Sequence, residues 1–117
     1  MNAAEVRSFC ATLRGATEIV QWGDNHVFKV GGKMFAVTGD AADARYSFKV
    51  DDERFLELTG IPGIIPAPYL ARAKWVQVNP AECPLSAAEL ESLLRDAYSI
   101  ILTRLPKYLQ REFSGDD

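Results

Sequence analysis

The chain of 117 residues has one histidine, His26, and two cysteines, Cys10 and Cys83. A structural zinc site needs four Cys or His ligands, usually in close pairs, so these three scattered residues do not make one. A catalytic centre of two histidines and a carboxylate is excluded by the single histidine. Two cysteines in a chain without a secretory leader read as reduced thiols. A Cys10–His26 nucleophile pair has no motif behind it. No apolar run reaches 18 residues, so no membrane-spanning helix is expected. No signal peptide opens the chain, and the expected location is cytoplasmic. Basic residues are not in excess: 13 Lys and Arg stand against 16 Asp and Glu, a net charge of −3. That excludes a strongly basic nucleic-acid domain but leaves room for a local basic patch.

Hydrophobic residues make up 48% and charged residues 25%, as in an ordinary globular protein, and the length suits one domain spanning 1–117. Asn2-Ala-Ala-Glu5 is a capping-box sequence, and Val6, Phe9, Cys10 and Leu13 follow at helical spacing, so residues 3–14 should form a helix that Gly15 stops. Residues 18–22 read as a short strand and 23–25 as a turn. The segments 26–30 and 33–37 flank Gly31-Gly32, which suits a two-residue primed hairpin turn. The expected register pairs Val30 with Lys33, Phe28 with Phe35 and His26 with Val37 on the core side. Lys29 with Met34 and Val27 with Ala36 then lie on the other side.

Residues 45–50 alternate, with Tyr46, Phe48 and Val50 inward. Asp51 should cap a short helix over 52–59 that turns Phe55 and either Leu58 or Leu56 inward. The three prolines of 61–68 argue against regular structure there, but Ile64 and Ile65 should pin that loop on the core. Residues 74–79 read as the last strand, with Val76 and Val78 on one side and Trp75 and Gln77 on the other. Ser86-Ala-Ala-Glu89 is a second capping box. It opens a helix over 87–105, which Pro106 ends, and a short helix over 106–112 follows. The tail 113–117 should fray. These elements, in the order α-β-β-β-β-α-β-α, give an α+β fold: an antiparallel sheet of about five strands with helices on one face and the other partly open.

Little in this pattern carries chemistry. Gly31-Gly32-Lys33 lacks the rest of a phosphate loop and opens a strand, so it reads as a turn. Asp51, Asp52 and Glu53 read as a cap and a complement to the helix dipole rather than as metal ligands. No Ser/His/Asp arrangement is visible, so no catalytic residue, metal or cofactor is assigned. The outward side of the sheet is more informative. It collects Lys29, Arg45, Lys49, Gln77 and Trp75, and the segments 26–38 and 45–50 hold four basic and no acidic residues. Arg72 and Lys74 stand just before the last strand. A basic, aromatic surface is what phosphate-backbone contact and base stacking require. The same residues would also serve as ordinary solubilising positions on a sheet.

Several segments together resemble the MmcQ/YjbR-like family of small bacterial proteins. They are Trp22-Gly23 followed by Val27-Phe-Lys-Val-Gly-Gly-Lys-Met-Phe-Ala36, Ser47-Phe-Lys49 before an acidic short helix, and Gly63-Ile-Ile-Pro66 with Tyr69-Leu70 and Lys74-Trp75. The last is a long helix that carries Tyr98 and ends at Leu105-Pro106. The resemblance implies an α+β domain shaped like type III secretion chaperones and likened to a double-wing DNA-binding arrangement. Together with the basic outer side, it gives a leading expectation of a non-enzymatic domain that contacts duplex DNA through Lys29, Lys33, Arg45, Lys49, Arg72, Lys74 and Trp75, with Lys33 at a hairpin tip. No membrane or metal partner is expected, and the state is a monomer or weak homodimer. An alternative is a protein-interaction module using the proline loop and the last helix. A third reading is an enzyme or small-ligand binder with a cleft between Trp22, Tyr69 and Trp75.

Overall fold

The computed structural model describes residues 1–114. Helix α1 (Ala3–Ala11) precedes strands β1 (Ala16–Gln21), β2 (Asn25–Val30), β3 (Lys33–Thr38) and β4 (Tyr46–Lys49). Helix α2 (Asp52–Leu58), strand β5 (Ile64–Pro66), a short 3-10 turn (Ala71–Ala73) and strand β6 (Trp75–Val78) follow, then helices α3 (Ala87–Leu102) and α4 (Lys107–Ser114). The six strands form one antiparallel sheet in the order β1-β2-β3-β4-β6-β5. The fold is α+β.

The helix starts follow from their caps. Asn2 and Ser86 each accept from the backbone N–H three residues on, and Glu5 and Glu89 reach back, so both capping boxes are complete. Asp51 caps α2 by accepting from Arg54 N–H at 2.8 Å. Each such cap is worth about 1 kcal/mol. Helix α1 ends at Ala11, short of the expected 14, and Gly15 stands beyond its last turn in the left-handed region at φ 76°. Helix α3 likewise stops at Leu102 with Thr103 as its cap. Helix α4 reaches Ser114, with Leu109 and Phe113 packed against the core. Of the tail 113–117, Phe113 thus belongs to α4, and 115–117 lie outside the described residues.

One side of the sheet meets the helices. Phe28, Val30, Phe35, Ala36, Tyr46, Phe48, Val76 and Val78 join Val6 and Cys10 of α1, Leu58 of α2 and Leu90, Leu94, Ala97 and Tyr98 of α3 in a single buried cluster. Leu58 is thus the inward leucine of α2, while Leu56 is exposed. The two buried tyrosines satisfy their hydroxyls over long stretches of chain. Tyr46 donates to the Met1 carbonyl at 2.8 Å, and Tyr98 donates to the Arg14 carbonyl at 2.6 Å, so both ends of α1 are tied down.

Two expectations are corrected. The hairpin keeps the expected pairs Val30–Lys33 and Lys29–Met34, then slips by one, so that Phe28 faces Ala36, Val27 faces Val37 and His26 faces Thr38. The cause is a β-bulge that leaves Phe35 as an extra residue of β3. Phe35 and Ala36 therefore both turn to the core, and Val37 moves to the open side. The proline loop also contains regular structure. Ile64–Pro66 is the edge strand β5, so the sheet has six strands rather than five. Proline is tolerated there because an outer edge strand needs no further ladder donor. Ile64 enters the core, whereas Ile65 stays exposed.

Candidate functional site

No helix covers the other side of the sheet among the described residues. Alternation in the registered strands places Thr17, Ile19 and Gln21 of β1, Val27 and Lys29 of β2, and Met34 and Val37 of β3 on this side. Arg45, Ser47 and Lys49, with Trp75 and Gln77 of β6 and Ile65 of β5, complete it. Val27 is fully buried between Ile19 and Val37 of the neighbouring strands. The face is therefore apolar at its centre, which the sequence reading, with its emphasis on basic residues, did not anticipate.

Two walls rise over this floor. One is the β1–β2 turn with Trp22 and Asn25; the other is the connection after β5 with Pro68, Tyr69 and Leu70. Between them lies a cleft of about 490 Å³ whose remaining lining is Met34, Val37, Ser47 and Gln77. None of the nine lining residues is charged. Trp22 is 62% exposed and Tyr69 is fully exposed, although both are large aromatics. Both also hold positive φ, 53° and 67°, where bulky side chains are rare. Asn25 Nδ2 donates to the Trp22 carbonyl at 2.8 Å and braces the first wall. Exposed aromatics on strained backbone beside a concave surface are features that cluster at binding sites.

The sequence-selected residues do not all meet here. Trp75 belongs to the open side but is only 4% exposed. The connection 67–74 closes around it, with Ala67 N–H donating to the Trp75 carbonyl and Trp75 N–H to that of Leu70. It therefore lies outside the cleft lining, and the expected trio of Trp22, Tyr69 and Trp75 reduces to the first two. Lys49 is 5% exposed, and its ammonium donates to the Ala73 carbonyl. Burial pushes its pKa below the usual lysine value, and Arg104 and Lys74 push the same way. Lys74 caps the 3-10 turn in the left-handed region and lies over the Phe55 ring at 4.9 Å from the centroid. Lys33 is exposed at the hairpin tip and pairs with Val30, on the helix side. Among the described residues, Lys29, Lys33, Arg45 and Arg72 make no ion pair. Of the interaction surface expected on the proline loop and last helix, Ile64 is in the core and Leu109 packs against it, leaving Ile65 and Tyr108 exposed.

Other chemical groupings are structural. Cys10 is fully buried, and burial raises its thiol to about 12, the reverse of an activated thiolate. The hollow at Lys49, Asp51, Asp52, Glu53, Ile100 and Arg104 sets three acids against two bases. Among the described residues no group of three or more His, Cys, Asp or Glu is placed to hold a metal ion, and no helix is long and apolar enough to cross a membrane.

His26 sits on the helix side with Glu18 Oε2 2.6 Å from Nδ1 and Asp40 Oδ1 2.8 Å from Nε2. A neutral imidazole has one N–H, so both contacts are hydrogen bonds only when the ring is protonated. Asp40 first and then Glu18 raise the His26 pKa, with desolvation and Arg7 opposing, while His26 lowers that of Asp40. A raised histidine pKa stabilises the fold fully below the unfolded value of about 6.5, and that stabilisation is lost as pH rises through the folded value. The single histidine gives an unambiguous proton NMR titration, and its midpoint is expected above about 6.5. The urea midpoint should fall as pH rises through that same range. In His26→Gln this component of the decline should vanish.

The YjbR family profile matches residues 11–100. A crystal structure of a protein from Pseudomonas syringae has the same fold, with a TM-score of 0.70 and 24% identity, covering 86% of this chain and 99% of that one. No curated protein matches the chain. The profile spans most of the core, both walls of the cleft and the floor between them, and the chain belongs to the YjbR family.

Proposed function

We propose that this protein is a non-enzymatic binding domain whose ligand site is the cleft on the open side of the sheet. The observation that carries this reading is the pair of exposed, left-handed aromatics, Trp22 and Tyr69, walling an uncharged cleft of about 490 Å³. That volume falls within the range of small-ligand sites, roughly 300–1,000 Å³. Its walls suit a flat apolar group, since indole and phenol rings stack on such groups for about 0.5–1.5 kcal/mol each beyond the area they bury. Asn25, Ser47 and Gln77 can orient the ligand through hydrogen bonds. Binding is favoured over catalysis because the lining offers one hydroxyl, on Ser47, apart from the Tyr69 phenol, and no imidazole, thiol or carboxylate to activate it.

The test is titration of the 15N-labelled protein with N-phenyl-1-naphthylamine, a flat and neutral probe. Amide shifts should concentrate at Trp22, Asn25, Met34, Val37, Ser47, Tyr69, Leu70 and Gln77. Replacing both Trp22 and Tyr69 by Ala should weaken binding about tenfold or more, the equivalent of about 1.4 kcal/mol. Shifts scattered over the helix side, or none at all, would remove this reading.

A second reading, duplex DNA binding in a double-wing manner, is favoured by one observation. Lys29, Lys33, Arg45 and Arg72 have no ion-pair partner among the described residues, which leaves them for phosphates. With Lys49 buried and Lys74 over Phe55, about four contacts are left. The salt slope of log affinity should then be no steeper than about −4, with binding detectable only at low salt. Fluorescence anisotropy of a labelled duplex at two salt concentrations checks this, and absence of binding at low salt would eliminate it.

A further inference from the structure

We infer that the cleft selects flat aromatic ligands that carry a negative charge, a specificity that rests on the cleft being a ligand site. The outward side-chain positions of the sheet itself carry one sign of charge. Among the registered outward positions the charged residues are Lys29 and Lys49, and Arg45, just before β4, continues the same alternation; all three are basic. Of the acids, Glu18 and Asp40 hold His26 on the helix side, and Asp51 caps α2, with Asp52 and Glu53 in its first turn; Asp24 in the β1–β2 turn and Glu82 beside Arg45 are the acids nearest the cleft.

Lys49 is buried against Ala73, which leaves two cations for a ligand. Lys29 stands directly across the ladder from Met34, a lining residue. Facing residues on one side of an antiparallel pair lie about 5 Å apart at Cβ, so the Lys29 stem starts at the rim of the cleft. Arg45 lies at another part of the rim, in a small hollow that shares Gln77 with the cleft. Glu82 also lines that hollow but makes no ion pair with Arg45. Lys29 is therefore the principal cation and Arg45 the secondary one.

An uncharged, apolar lining flanked by free cations strengthens the attraction for an anion held between the walls, because low-dielectric surfaces focus the field. The ligand class is an aromatic ring system bearing a carboxylate, sulfonate or phosphate. The ring would lie between Trp22 and Tyr69, with its charged group toward Lys29.

Two probes of nearly identical shape separate this specificity from the site itself. The first is 1-anilinonaphthalene-8-sulfonate; the second is N-phenyl-1-naphthylamine, which lacks the sulfonate. The sulfonate should bind about tenfold tighter at low salt, and added salt should erode that preference while leaving the neutral probe little changed. In Lys29→Gln combined with Arg45→Gln the preference should fall below about threefold, whereas Lys29→Arg should keep it. Both replacements are at non-core positions, and unchanged urea midpoints confirm intact folding. Trp22→Ala should weaken both probes together. Equal affinity for the two probes, or a preference that survives loss of both cations, overturns the anion specificity and leaves the cleft as a site. Failure of both probes to bind overturns the cleft reading itself.

Discussion

Phe35→Ala is expected to remove about 3–5 kcal/mol of folding stability, a large share of the roughly 5–15 kcal/mol that a domain of this kind has. The ring is fully buried. It meets Tyr98 of α3 edge-on, with centroids 5.7 Å apart, and Phe28 of β2 at 6.5 Å in a tilted pair. It also occupies the bulge, where β3 carries one residue more than β2. Truncation therefore does more than open a cavity between sheet and helix. It removes the anchor that turns two successive residues of β3, Phe35 and Ala36, toward the core. Phe35→Leu fills part of the volume and should cost about half as much. Urea unfolding of the three proteins measures the differences. A loss below about 1 kcal/mol for Phe35→Ala would show that the ring is not a core element, because deletion of a buried phenyl group has a higher floor than that.

The bulge also marks the boundary of what the amino-acid order reveals. Capping boxes at Asn2 and Ser86 are local signals in which four residues satisfy one another, and both were legible. The Gly31-Gly32 turn was legible for the same reason, since both glycines take positive φ. The slip beyond Lys29–Met34 was not, because periodicity alone places Phe35 opposite Phe28 and gives no reason to insert a residue. The consequence is functional. Val37, assigned by strict alternation to the core, instead forms part of the cleft floor. Strand β5 was hidden by a sound local rule, the aversion of proline to ladders, which an edge position relaxes. The pairing of Trp22 with Tyr69 across the sheet depends on strand order and on two left-handed residues. Their shared placement on an open face could be suspected from sequence but not built from it.

Lys49 shows the opposite failure, and its replacement is the second large effect expected here. The pattern of residues 45–50 places it on the outward side with Arg45 and Ser47, as though it were free to meet a phosphate. By register it is on that side, but its side chain is buried and lines a hollow with Ile100 and Arg104 at the end of α3. Its ammonium donates to the Ala73 carbonyl, at the end of the 3-10 turn that leads into β6. Lys49→Ala leaves that carbonyl without its partner, for about 1–3 kcal/mol, and strips the buried methylene stem at about 0.8 kcal/mol per group. Relief of a buried charge offsets part of this, and the expected loss is about 2–4 kcal/mol. Lys49→Met keeps most of the stem and removes a charge that burial disfavours, so it should cost less than Lys49→Ala.

The pH dependence has a definite sign. Burial lowers the folded pKa below that of the unfolded chain, so between the two values the unfolded state holds more protons, and stability at this site rises with pH. Cys10 opposes this above about pH 9, because its thiol stays protonated in the fold up to about 12. The Lys49 contribution is therefore read as the difference between wild type and Lys49→Met, in which the Cys10 contribution cancels.

The loosened segment carries Tyr69 and Leu70, so Lys49→Ala should also weaken binding of a flat probe and speed hydrogen exchange between Ala67 and Trp75, far from any phosphate. If Lys49→Ala kept full stability and slow exchange while abolishing duplex binding, Lys49 would be a surface contact and the DNA reading would gain its strongest residue. If stability, exchange and probe affinity fall together, the lysine holds the second wall of the cleft in place.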